Sequence, residues 1–322
     1  MHKVAHRHIN SWSARIGRVP TPLAGLALGI AGLGAAWASV APAQAALFQL
    51  VSSLIAAVLV VKVILKFILH PHLIREELKH PVISSVMPTC AMATMVIAQS
   101  LHAWLPTPTR FLWLAAVVLH LSLLAAFIYH RLRDFSLDHM VPSWFIPPVG
   151  IVVAAVSSPG MGFENLAYFL FLFGLASYAV LLPTMLYRLY FRTPLPDAAL
   201  PTFAIMGAPA SLSLAGYVTI TSQPDIMIIA LLAPLSVFMT LTVYLAFIRL
   251  LRLPFSPGYA AFTFPMVIGA TALLKLSAST NGVFADLFAR LGYFELLVAT
   301  VAVFYVAARY FLYYFPPRSC AA

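Results

Sequence analysis

Ten apolar runs separated by short polar linkers fill the chain, near residues 19–40, 45–68, 81–104, 109–130, 140–158, 163–190, 200–222, 225–249, 258–279 and 292–315. A helix needs about 20 apolar residues to cross the ~30 Å hydrocarbon layer of a bilayer. Each run meets that length except the fifth, which is marginal. Hydrophobic residues occupy 62% of the 322 positions and charged residues only 9%. A soluble domain carries about 25% charged residues. There is too little polar side chain here to cover a water-facing surface. The expected class is therefore an all-α integral membrane protein with ten transmembrane helices. Residues 1–18 would form a cytoplasmic N-terminal segment, 19–315 the transmembrane domain and 316–322 a cytoplasmic tail. The last linker, Asn281 to Gly292, reads as a short interfacial helix carrying Phe284, Leu287, Phe288 and Leu291.

The net charge of +10 does not indicate a nucleic-acid partner, because the basic residues sit between apolar runs and not in one stripe or arm. With a cytoplasmic N-terminus, sixteen of the nineteen basic residues fall on the inner side: Lys3, Arg7, Arg15, Arg18, Lys62, Lys66, Arg75, Lys79, Arg131, Arg133, Arg188, Arg192, Arg249, Arg252, Arg309 and Arg318. Only Arg110, Lys275 and Arg290 are left outside. Cytoplasmic loops carry the excess of Lys and Arg, so both termini are expected in the cytoplasm, with the chain in a bacterial inner membrane. Its surrounding partner is then lipid.

Within this array lies an internal repeat. Pro22, Pro88, Pro148, Pro209 and Pro265 each fall in or near the start of an odd-numbered run, separated by 66, 60, 61 and 56 residues. The odd runs are rich in small residues, as in HPVISSVMPTCAMATM and LPTFAIMGAPASLSLAG. The even runs are bulkier, as in FELLVATVAVFYVAARYFLYYF. The chain thus reads as five helical hairpins in succession. Proline lacks an amide hydrogen and clashes with the carbonyl four residues back, which kinks a helix. In lipid a freed carbonyl needs a partner from protein or water. The five proline-bearing helices therefore belong inside, with the Leu- and Phe-rich helices around them, leaving an axis for a pathway.

The inner runs carry almost no charge. Lys275, near the outer end of run nine, and Glu295, at the start of run ten, are expected to pair at the outer interface. Ser84, Ser85, Thr89, Ser211, Ser213, Thr263 and Thr271 are candidates for the pathway lining. Cation selectivity would call for a ring of Asp or Glu, and the runs offer none. Small anions, drawn by the positive cytoplasmic end, are the expected cargo. Cys90 and Cys320 suggest neither a disulfide framework nor a metal site. His120 and His130 are ten residues apart on an outer helix, and His70, His72 and His80 flank a loop holding Glu76 and Glu77. These read as interfacial or packed histidines. No metal, cofactor or catalytic cluster is expected.

Three segments resemble the TehA-like tellurite-resistance/dicarboxylate transporter family, which includes the plant guard-cell slow anion channels, fungal malate permeases and sulfite exporters. They are KHPVISSVMP (Lys79 to Pro88), APASLSLAGY (Ala208 to Tyr217) and AAFTFP (Ala260 to Pro265). The resemblance covers essentially everything after Arg18. It implies quasi-fivefold symmetry of the inner helices around a pore, and a homotrimer with one pore per protomer. It also implies that a phenylalanine of the ninth helix plugs the pore, and it matches this gate to Phe262, three residues before Pro265. Phe264, the other candidate, falls roughly on the opposite side of the helix. Pro265 stands where the family often has glycine. The expected function is passive conduction of small anions. The alternative is a proton-coupled carrier for C4-dicarboxylates, sulfite or a tellurium oxyanion.

Overall fold

A computed structural model describes residues 12–314, and every regular element among them is helical. Ten apolar segments follow one another: α1 (Leu23–Val40), α2 (Pro42–Leu69), α3 (Pro81–Leu101), α4 (Pro106–Arg133), α5 (Pro142–Val156), α6 (Glu164–Phe191), α7 (Asp197–Ile220), α8 (Ile226–Leu250), α9 (Pro257–Ser279) and α10 (Val283–Tyr314). Among the described residues nine are long and apolar enough to cross a membrane, and α5 is shorter. The protein is thus a multi-pass membrane protein. Cys320, Arg318, Lys3 and Arg7, like the tail 316–322, lie outside the described residues. The linker expected as a separate interfacial helix is instead the first part of α10, which runs unbroken over Val283–Tyr314.

Burial divides the segments as their composition suggested. In α1, α3, α7 and α9 between 61% and 78% of the apolar window is buried, against 28% to 39% in the even-numbered helices. α1 packs on α3 and α9, α3 on α5, α5 on α7, and α7 on α9. The odd-numbered segments therefore close a ring in chain order, and the even-numbered helices stand outside it with exposed Leu, Phe and Val.

The repeated prolines mark the places where the inner helices restart. Pro22 and Pro88 occupy the N-cap positions of Leu23–Val40 and Thr89–Leu101. Pro209 and Pro265 sit in the first turn of Ala208–Ile220 and Phe264–Ser279. The first turn tolerates proline because its amides lack helical partners in any case. Ahead of these two α-helices lie 3-10 stretches, Asp197–Gly207 and Pro257–Phe262. Pro148 lies in the four-residue α-turn Ile146–Val149, between the 3-10 turns Pro142–Phe145 and Gly150–Val152.

At the end of the bundle where the odd-numbered segments begin, a polar clamp ties three elements together. The Lys66 ammonium, 4% exposed at the end of α2, donates to Thr21 Oγ1 at 3.0 Å. It also forms an ion pair with Glu77 of the short helix His72–Lys79. Thr21 in turn donates to the Glu77 carboxylate. Removing one partner of a buried ion pair leaves an uncompensated charge, which costs about 3–5 kcal/mol. Glu77→Ala is therefore expected to lower the melting temperature of the detergent-solubilised protein markedly, with Glu77→Gln intermediate. Equal melting of all three proteins would show that the clamp contributes no stability.

Candidate permeation path

Two cavities lie end to end among the inner segments, the first walled by all five and the second by α1, α3, α5 and α9 with one residue of α2. The first has a volume of about 870 Å³ counting its open mouth. It is walled by Pro22 and α1 (Gly25, Leu28), α3 (Val82, Ile83, Val86, Thr89, Met92), α5 (Phe145, Ile146, Val149, Gly150), α7 (Thr202, Ile205, Pro209, Leu212) and α9 (Gly258, Ala260, Ala261, Phe264, Pro265). No even-numbered helix contributes to it. The second cavity, about 970 Å³ on the same measure, is lined by the second halves of α1 (Gly32 to Ser39), α3 (Val96, Gln99), α5 with Ser157, and α9 (Phe264, Val267, Ile268, Thr271, Lys275). Gln49 of α2 completes its wall. Among the described residues no Asp or Glu lines either cavity.

Phe264 is the one residue common to both linings. Its ring lies against α1 at Gly32, where a Cβ would approach the ring carbons to 3.8 Å and Val267 Cγ1 to 3.0 Å. At Gly29, one turn earlier, a Cβ would come within 2.5 Å of the Thr263 side chain. The absence of side chains at these two positions lets the start of the α-helical part of α9 press against α1. That contact holds the benzyl ring between the cavities.

Phe262, the gate implied by the resemblance, faces the other way. It is 1% exposed, with its ring 4.7 Å from that of Tyr259 and 5.3 Å from that of Phe247 on α8. It lines a separate recess between α8 and α10, with Leu297, Val301 and Tyr305. The reason is rotational. Residues two apart on a helix differ in direction by about 200°, and the helix is phased so that Phe264 meets the axis.

The other expected residues divide as follows. Thr89 lines the first cavity and Thr271 the second. Pro22, Pro209 and Pro265 line the first, while Pro88 and Pro148 line neither. Ser84 donates to the His80 carbonyl, and Ser85 bonds Ser143 of α5 at 2.6 Å. Ser211 bonds Ser236 of α8 at 2.8 Å, and Thr263 donates to carbonyls of Ala260 and Gly25. Ser213 is buried without a hydrogen-bond partner among the described residues. Ser84, Ser85, Ser211 and Thr263 thus pin helices to one another or to themselves, and all five line neither cavity.

The expected Lys275–Glu295 pair is not formed. Glu295 accepts from Tyr244 of α8 at 2.7 Å, between α8 and α10, whereas Lys275 faces the second cavity. The ion pair among the described residues is Lys66–Glu77. Sequence reading passed over Thr202, Gln49, Gln99 and Ser39. The two glutamines had a legible signal, since an amide within an apolar run seeks a polar partner. Among the described residues no group of His, Cys, Asp and Glu is arranged to hold a metal ion. His120 instead packs against α5, with Nε2 2.8 Å from the Pro147 carbonyl.

Comparison with known proteins agrees with this architecture. The chain is 28% identical over 232 residues to an uncharacterized transporter of Methanocaldococcus jannaschii, covering 63% of this chain and 67% of that protein. A second uncharacterized transporter of the same organism is 26% identical over 233 residues, covering 63% and 66%. The S-type anion channel SLAH2 of Arabidopsis thaliana is 26% identical over 287 residues, covering 83% of this chain. The chain spans 54% of the length of that plant channel. The family model described as voltage-dependent anion channel (SLAC1) matches residues 18–311, nearly all of the bundle that surrounds the two cavities. On that match the chain belongs to the voltage-dependent anion channel family.

Proposed function

We propose that the protein is a passive channel for small anions, closed in this conformation by the ring of Phe264. The observation that carries this reading is that Phe264 alone borders both cavities. An apolar ring across a narrow path excludes water and ions, which is gating by dewetting. The absence of acidic residues from both linings supports anions over cations as cargo. Five inner segments read as a quasi-fivefold pore of ten crossings, with α5 as the short one. The basic residues concentrated at the Lys66 end support a cytoplasmic location for that end and for both termini. On the same reading the chain sits in a bacterial inner membrane, and the homotrimer implied by the resemblance is its assembly state.

A proton-coupled carrier is the second reading. Glu295, 8% exposed, is a buried acidic side chain such a mechanism could use, since ionisable groups buried in membrane proteins commonly mark proton pathways. It stands behind α9 against Tyr244, however, and borders neither cavity.

The two readings part on electrical measurement. Phe264→Ala is expected to raise anion current several-fold in planar bilayers, with a reversal potential that follows the anion gradient. Saturable flux tied to a proton gradient, with no current in either protein, would establish the carrier instead. Phe262→Ala should leave current at the wild-type level. It should lower stability by about 3–5 kcal/mol, as core Phe→Ala changes do, read as a fall in melting temperature. An open Phe262→Ala beside a silent Phe264→Ala would assign the plug to Phe262 and overturn this reading.

A further inference from the structure

The second cavity contains a constellation that the plug does not use. Among the described residues Lys275 is its only cationic lining residue, and no carboxylate faces it there. Glu295, its expected partner, is held by Tyr244. The hydroxyls of the same wall are already committed to helix carbonyls. Ser39 donates to Ala36 at 2.7 Å, Ser157 to Val153 at 2.7 Å and Thr271 to Val267 at 2.9 Å. The donors left over are the Lys275 ammonium and the side-chain amides of Gln49 and Gln99, which make no hydrogen bond among the described residues. They come from three different segments, α9, α2 and α3, and converge on one cavity.

We propose that Lys275, Gln49 and Gln99 form a binding site for a single monovalent, hydrogen-bond-accepting anion, beyond Phe264 from the Lys66 end. The proposal rests on the anion-channel reading and deepens it by naming the class of ion. An anion leaving water needs its lost hydrogen bonds replaced, and bonds from a charged donor are the strong ones. One ammonium balances one negative charge. A dianion would keep a net charge of −1 in a cavity whose remaining walls are mainly Ala, Val, Ile and Phe, and an unpaired charge away from water is costly. The cavity is also lined by the C-terminal halves of α1, α3 and α9, whose carbonyl ends carry negative partial charge. Lys275 is the side chain that offsets this field. Without it the same cavity would repel the ions the protein conducts.

The test uses the full-length protein in detergent, with sodium nitrate, sodium chloride or sodium sulfate compared with sodium gluconate at equal ionic strength. Wild type is expected to melt at higher temperature in nitrate and chloride than in gluconate, with a smaller gain in sulfate. Lys275→Gln should weaken the apparent nitrate affinity by about tenfold or more, as loss of a charged hydrogen bond does. Lys275→Arg should retain most of it, and the double variant Gln49→Ala/Gln99→Ala should fall between. Undiminished stabilisation of Lys275→Gln by nitrate, or stronger stabilisation by sulfate than by nitrate, would overturn the proposal. If Lys275→Gln does not fold, the glutamine variant decides, and an unchanged affinity there overturns the site.

Current in the Phe264→Ala background separates this inference from the channel reading. Adding Lys275→Gln there should reduce the permeability of nitrate and chloride relative to sodium. A Lys275-dependent nitrate shift in a protein that carries no current would leave the site standing and remove the channel. An open channel whose anion selectivity is untouched by Lys275→Gln, with no nitrate shift in wild type, would do the reverse.

Discussion

Hydrocarbon offers a backbone no hydrogen bonds, and the rest of this structure depends on that fact. A regular helix satisfies itself, so α2, α4 and α10 can face lipid with Leu, Phe and Val. A helix that restarts at a proline cannot, because it leaves carbonyls without their usual partners. α3, α5, α7 and α9 are all interrupted in this way, and they are enclosed. Neighbouring side chains add hydrogen bonds to backbone carbonyls inside this enclosure. The Pro147 carbonyl of α5 is met by His120 of α4, the Pro81 carbonyl by Trp144 at 3.1 Å, and the Gly25 carbonyl by Thr263 at 3.2 Å. The four interrupted inner segments and the continuous outer helices follow this requirement in the main, although α6 and α8 each carry an internal proline, Pro183 and Pro234, without a break in the helix.

Enclosure alone would give a packed bundle with no path. Two further features shape the axis. The inner segments carry small residues where they touch, so that α9 approaches α1 through Gly29 and Gly32. Elsewhere the first cavity is lined by proline, threonine, glycine, alanine and aliphatic side chains with Met92 and Phe145, which do not fill it. The ring of Phe264 lies where the two cavities meet. On the proposed reading, one rotamer change or a small shift of α9 at its 3-10 to α junction would join the cavities. Mid-helix 3-10 stretches commonly mark such hinges.

The two ends are electrostatically unlike. At the end where the inner segments begin, Lys66 is neutralised by Glu77 and serves to lock α2, the short helix after it and the start of α1. Arg188 at the same end is likewise spent on backbone, donating to the carbonyls of Thr193 and Asp138. Arg131 donates to the Lys79 carbonyl. At the opposite end Lys275 faces an open cavity and not a carboxylate. Basic residues thus hold the bundle together at one end, while at the other Lys275 presents its charge to the cavity.

Membrane residence, helical class, the number of apolar segments and the assignment of inner and outer helices could all be read from the chain. Each depends on composition or on a period repeated over many residues, so local errors average out. The repeat of Pro22, Pro88, Pro148, Pro209 and Pro265 is such a signal. What remained illegible depends on single side-chain directions. Whether Phe262 or Phe264 meets the axis turns on where the 3-10 stretch Pro257–Phe262 gives way to the α-helix, a matter of one residue of phase. Whether Glu295 pairs with Lys275 was decided by Tyr244, which belongs to a helix some fifty residues away in the chain. Ser85 and Ser211 went to neighbouring helices for the same reason. Sequence determined which segments must hide from lipid, because that is a property of each segment alone. Only the tertiary structure decided which residues face the path, because that depends on the rotation of each helix against neighbours the local sequence does not name.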